Sequence, residues 1–208
     1  MRGWLHFWSF FVSVLTGATL ITLAATTVSG LAALATTVYS VTVLGLFGVS
    51  ALYHRHVWTD PRARMRMKRL DHSMIFVFIA GTYMPFSLLA MDRPTGYIVL
   101  AVAWGGAVCG VALKVLWPHA PRWLGVPIYI GLGYVAVFVL PQLEHHAGLA
   151  AVVLLLVGGL LYTVGAIFYA TRWPNPWPST FGHHEFFHAA TVLAALCHYV
   201  AIWFAIYS

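Results

Sequence analysis

The sequence predicts an all-α integral membrane bundle of seven transmembrane helices, with residues 1–208 forming a single domain. Three observations predict it. The chain is 61% hydrophobic and only 8% charged, against about 25% charged residues in a soluble domain. A surface that poor in charge cannot be solvated by water on every side. The apolar residues fall into seven runs, each close to the roughly 20 residues that cross a hydrocarbon core. The basic residues crowd into alternate connections between those runs, as a multi-pass topology requires.

The elements follow in order. The first run, 6–27, reads as a full span rather than a cleaved signal, because no small-residue cleavage site follows a short apolar core. The second, 31–54, is almost continuous with it. Together they are too long for one span and right for a tight pair, so a break is expected at Thr26–Gly30. A basic loop, 55–69, leads to the third run, 70–91, which ends at the turn Asp92-Arg93-Pro94-Thr95-Gly96. The fourth run, 95–117, stops at Trp117-Pro118-His119-Ala120-Pro121-Arg122. The fifth, 123–142, stops at Glu144-His145-His146, and the sixth covers 147–170. Prolines in Trp173-Pro174-Asn175-Pro176-Trp177-Pro178 exclude regular helix and predict an extended, semi-rigid loop before the seventh run, 184–206. Cys109 and Cys197 lie inside apolar runs and read as reduced, buried thiols. Trp58, Trp117 and Trp173, near span ends, suit an aromatic belt.

Charge orients the bundle. With seven spans and a cytoplasmic N-terminus, the cytoplasmic segments hold Arg2, the 55–69 group (Arg55, Arg62, Arg64, Arg66, Lys68, Arg69), Lys114, Arg122 and Arg172. That is ten of the eleven basic residues, and the outer segments keep only Arg93. The expectation is therefore a multi-pass cell-membrane protein with its N-terminus inside and its C-terminus outside. The basic loop sets topology, and it can also attract anionic lipid of the inner leaflet. Nucleic acid is not an expected partner, because the basic residues border a span and no recognition module is present.

Ionisable side chains within spans are costly and mark function. His54 closes the second run, Asp71 opens the third, and His184 and His188 open the seventh. The charge-derived topology places all four at one depth, near the cytoplasmic face. His184 and His188, spaced i, i+4, share a helix face, and Ser50 and His54 have the same spacing. Each group alone has a plainer explanation, as an interfacial histidine or a helix-terminal charge. Their convergence is what points to metal: three imidazoles plus a water make an open, four-coordinate zinc site. Asp71 can hold and deprotonate the water without ligating the metal. The stretch His184-Glu185-Phe186-Phe187-His188 also matches H-E-x-x-H, with Glu185 in the position of a metalloprotease base, although Asp71 is the better candidate. His198 lies about 15 Å further along a helix and cannot share the ion. His145 and His146 fall in the opposite loop, and His56, His72 and His183 read as interfacial neighbours.

These motifs resemble the hemolysin III family, which belongs with the progestin and adipoQ receptors. The matching stretches are Ser50-Ala51-Leu52-Tyr53-His54, Leu70-Asp71-His72 leading into Gly81-Thr82-Tyr83-Met84-Pro85-Phe86, Arg172-Trp173-Pro174-Asn175-Pro176, His184-Glu185-Phe186-Phe187-His188 and Cys197-His198-Tyr199. They cover the chain from the second run to its end. The first run departs from the family by lacking its usual Asn and His. The resemblance implies seven spans, a zinc site of His54, His184 and His188 on the inner side, a water held by Asp71, and Ser50 as a nearby hydroxyl. It does not restrict the position of Glu185 to Glu. Relatives with the same Ser, Asp and three His include alkaline ceramidases, which implies hydrolysis of a lipid amide.

The resulting expectation is a zinc-dependent hydrolase of a membrane lipid or lipid-like amide or ester, with Asp71 and Ser50 catalytic. A receptor or sensor with structural zinc is the first alternative and a pore-forming lytic protein the second. The pore has least support, since no span carries a row of polar residues to line a channel.

Overall fold

The computed structural model describes residues 2–117 and 120–208, so Pro118 and His119, in the expected break after the fourth run, lie outside the described residues. The described residues are helical apart from connections and one isolated bridge, Trp177 to Phe181. Helix α1 (Trp4–Leu23) runs into a π-helical turn, Ala24–Val28, and the chain then becomes extended at Ser29. The Ser29 hydroxyl accepts from the Ala32 N–H at 3.1 Å and so starts α2 (Gly30–Arg55). The expected break at Thr26–Gly30 is therefore there.

Helix α3 (Pro61–Leu89) begins earlier than its apolar run. Asp60 accepts from the N–H groups of Arg62 and Ala63, and Pro61 occupies the first turn without losing a bond. Residues 61–69 are thus about two and a half turns of basic helix rather than loop. Helix α4 (Arg93–Leu116) returns beside α3.

The next stretch differs from expectation in its boundary. Helix α5 (Arg122–Tyr134) passes through a 3-10 segment, Val135–Val139, into α6 (Leu140–Thr171). Glu144, His145 and His146 are helical, and the regular geometry fails instead at Gly148, with φ 81° and ψ 165°. Charge is no helix breaker, whereas a glycine at positive φ is. By length and apolarity six helical stretches among the described residues can cross a membrane, and Leu124–Thr171, 48 residues, counts as one of them. It does not run straight. The Tyr134 hydroxyl lies 3.4 Å from Thr163 Oγ1, whereas a straight helix would separate them by about 43 Å. The two limbs thus fold against each other about Gly148. Tyr83 of α3 serves the irregular backbone where α5 passes into the 3-10 segment: its hydroxyl accepts from the Ala136 N–H at 2.9 Å and faces the carbonyls of Leu132 and Gly133 at 2.9 and 2.8 Å. Non-helical backbone at membrane depth requires such partners. After the proline loop, α7 (His183–Ile206) packs along α6.

The buried core draws Leu20 from α1, Leu46 and Phe47 from α2, Phe76 from α3, Leu143 from α6 and Ile202 from α7. Large apolar side chains also cover the outside, among them Leu15 at 73% and Val108 at 66% exposure. Such a surface suits a lipid solvent, and the protein is a multi-pass membrane protein.

Close α3–α4 approach depends on Gly96, where a Cβ would collide with the Ser87 carbonyl oxygen. Gly96→Ala is expected to cost about 1–3 kcal/mol and to lower the thermal midpoint in detergent. Gly105→Ala, with open space at its Cβ, is the control and should stay within about 0.5 kcal/mol. Equal midpoints for the two variants would mean that the contact is not tight.

Candidate metal centre

Alternation of helix direction brings the end of α2, the N-terminal third of α3 and the start of α7 to one end of the bundle. His54 sits in the last turn of α2. His184 and His188 project from the first two turns of α7, with ring centroids 4.6 Å apart. The His54 ring is 4.8 Å from that of His184 and 5.2 Å from that of His188. One nitrogen from each of the three rings lies within 4.8 Å of the others. His54 Nε2 and His184 Nε2 are 3.2 Å apart. Two nitrogens bound at about 2.0–2.1 Å to one tetrahedral ion stand about 3.3 Å apart. A His–His hydrogen bond would explain that pair equally well, but not the convergence of His188, which is only 3% exposed. Three neutral imidazoles suit zinc, copper, iron or nickel, and a three-histidine set with an open fourth position is a catalytic zinc pattern. The donor set therefore fits the expected metal.

The two other expected site residues meet each other. Ser50, one turn before His54 and 4% exposed, lies beside the Asp71 carboxyl. Asp71 lies ten residues into α3 rather than at its start, because the helix begins at Pro61. Its side chain is 13% exposed, and His72 Nδ1 lies 3.5 Å from it. Ser50, His54, Asp71, His184 and His188 all line one cavity of about 1130 Å³. That exceeds the roughly 300–1,000 Å³ of most small-molecule pockets.

Glu185 has other duties. Its carboxylate accepts from the Gly182 N–H at 2.9 Å, capping α7, and from Arg2 Nε at 3.1 Å, tying the chain's start to that helix. It is not among the cavity-lining residues. The H-E-x-x-H pattern here is an N-terminal cap between two histidines.

One residue escaped the sequence reading. His6 of α1, 2% exposed, stacks on His188 with ring centroids 3.8 Å apart and planes 10° from parallel. Parallel rings cannot direct their in-plane lone pairs at one ion, so His6 packs against the donor set without joining it. The overlooked signal was an ionisable residue in the first turn of an apolar run, at the depth already assigned to His54. The other described histidines lie outside the three-donor cluster. His198 Nε2 faces the Leu155 carbonyl at 3.3 Å, away from the cluster. His146 Nδ1 donates to the Gln142 carbonyl at 2.9 Å, inside α6 rather than in a loop. His56 packs edge-on against Trp58.

Fold and site together define a class: a polytopic helical membrane protein with a partly buried histidine cluster and a large cavity at one end of the bundle. The chain belongs to the haemolysin-III-related family, whose description matches residues 1–199, within the progestin and adipoQ receptor group. It is 35% identical to hemolysin-3 of Bacillus cereus over 139 residues, 66% of this chain and 62% of that protein. It therefore spans less than two thirds of that relative's length. It is 31% identical to a hemolysin-3 homolog of Bacillus subtilis (strain 168) over 153 residues, 74% of this chain and 68% of that one. It is also 29% identical to the heptahelical transmembrane protein ADIPOR2 of Oryza sativa subsp. japonica over 185 residues, 79% of each chain.

Proposed function

We propose that this protein is a zinc-dependent membrane hydrolase of lipid amides or esters. One observation carries the reading: three histidine nitrogens within 4.8 Å of one another border a cavity that Ser50 and Asp71 also line. His54, His184 and His188 would hold the zinc. Zinc in an open three-histidine site polarises a carbonyl and brings the ionisation of water towards a pKa of about 7. Asp71 accepts a proton from the attacking water and delivers it to the leaving amine or alkoxide, so that acid and amine or alcohol are released. Ser50 would donate a hydrogen bond to Asp71 or to the developing oxyanion. The apolar walls exclude water and strengthen each of these electrostatic contacts. The test is fatty-acid release from ceramide-like and phospholipid substrates in nanodiscs, by zinc-loaded and by chelated protein. Turnover that disappears with chelation and returns with zinc is expected. No turnover by zinc-loaded protein would transfer the site to a sensor with structural zinc.

The same reading places the cluster at the cytoplasmic side of seven spans. Support for seven comes from the folding back of the 48-residue stretch about Gly148. Support for the orientation comes from the ten-to-one distribution of basic residues. A reporter fused after Ser208 is expected to be active only where it reads the extracytoplasmic side. Cytoplasmic activity at that end would make the span count even.

A further inference from the structure

The cavity is strongly asymmetric in charge. Five cations line it: Arg2, which pairs with Glu185, and four others, namely Arg64 and Lys68 on the basic extension of α3, Lys114 in the last turn of α4, and Arg172 at the end of α6. Asp71 is the only acid among the described lining residues, and Ser50 lies beside it. None of the four cations makes an ion pair among the described residues. Lys68 and Lys114 are half-buried and close enough for their charges to act on each other. The Lys114 ammonium occupies the space that Gly125 of α5 leaves by having no side chain. Like charges gathered in a partly desolvated wall are costly unless an anion joins them.

Along α3 the cavity face changes character in order. Arg64, Lys68, Asp71, Ile75 and Phe78 all line the cavity, at helical spacing on one face. At about 1.5 Å per residue, the cations stand about 4.5 and 10.5 Å before Asp71, and Phe78 stands about 10.5 Å beyond it. The wall thus offers a cationic end, then the candidate reacting group, then an apolar end continued by Leu156 and Leu160 of α6.

We propose that the ligand of this cavity is a phosphate-bearing lipid, with its phosphate held by Lys68 and Lys114, flanked by Arg64 and Arg172, and its acyl chain in the apolar end. Phosphate suits the site better than carboxylate because several cations converge and a phosphate monoester carries about −1.5 to −2 charge. A three-carbon backbone between phosphate and acyl carbonyl spans the same order of distance as that from Lys68 to Asp71. As the identity of a substrate this rests on the hydrolase reading; as a binding site it does not.

The test is equilibrium binding of radiolabelled oleoyl lysophosphatidate and of neutral monoolein to the full, zinc-loaded chain in phosphatidylcholine nanodiscs. The two share the oleoyl ester and differ in the phosphate. The anion is expected to bind about 10-fold tighter or better, the scale of charge-assisted hydrogen bonds. Lys68→Gln/Lys114→Gln should reduce that preference to about 2-fold or less, with monoolein binding and zinc content unchanged. Arg62→Gln/Arg66→Gln removes two exposed cations of α3 that do not line the cavity, and it should leave the preference intact. Equal binding of the two lipids overturns the proposal. So does an equal loss in the Arg62/Arg66 variant, which would reveal general attraction to the basic surface. Displacement of the lipid by millimolar inorganic phosphate would reveal a free-anion site and overturn the lipid assignment; no displacement supports it. Because binding is read without turnover, the two readings fail separately. An intact preference without hydrolysis defeats only the enzyme, and hydrolysis of neutral lipid without a preference defeats only the headgroup site.

Discussion

Asp71→Asn is expected to lower lipid amide or ester hydrolysis by about 100-fold or more, the scale of a lost general base, while zinc stays bound. The geometry makes the variant informative. Asparagine keeps the size of the side chain and an acceptor for the Ser50 hydroxyl, so the α2–α3 contact survives. What disappears is a group able to take a proton from water. Asp71 is not part of the three-donor cluster, so zinc content should change little, as for a group that orients rather than ligates. Glu185→Gln provides the comparison. It weakens the pair with Arg2 but keeps an acceptor for the Gly182 N–H, and it should cost far less activity. Equal turnover by wild type and Asp71→Asn would remove Asp71 from the mechanism. A larger loss in Glu185→Gln than in Asp71→Asn would restore the zincin arrangement.

His188→Ala is expected to abolish stoichiometric zinc binding, from about one ion per chain to near none, because a three-histidine site left with two donors has too few protein ligands for a stable tetrahedral centre. His188 is the most buried of the three donors and also carries the stacked His6 ring, so its removal opens a gap and can unfold the bundle. His54→Ala guards against that outcome, since His54 ends a helix and is less buried. Zinc content is read by elemental analysis alongside size-exclusion profiles. A monodisperse His54→Ala protein without zinc supports the assignment, and full occupancy in folded His188→Ala rejects it.

Much of the fold was legible because the bilayer makes local sequence decisive. A span must satisfy its own backbone and present apolar side chains, so composition alone outlines most helices. The errors fell where that rule is silent. Residues 61–69 carry no apolar periodicity, yet Asp60 and Pro61 are helix-start signals and the helix forms there. Glu144, His145 and His146 looked like a boundary because they are polar, but Gly148 turns the chain.

The site divides in the same way. By itself the sequence determined the helical membrane class, the order of the apolar runs, and the identities of His54, His184, His188, Asp71 and Ser50 as candidates. Spacing along a helix and depth across a bilayer are one-dimensional quantities, and a linear chain displays both. Tertiary structure alone decided which rings face one another, that Ser50 meets Asp71, that His6 stacks on His188, that Glu185 turns to Gly182 and Arg2, and that cations from α3, α4 and α6 line one cavity. Those facts depend on how each helix is rotated about its axis and which neighbour it packs against. A bundle apolar all round its outside leaves no amphipathic stripe in the sequence to reveal that rotation, so only packing could set it.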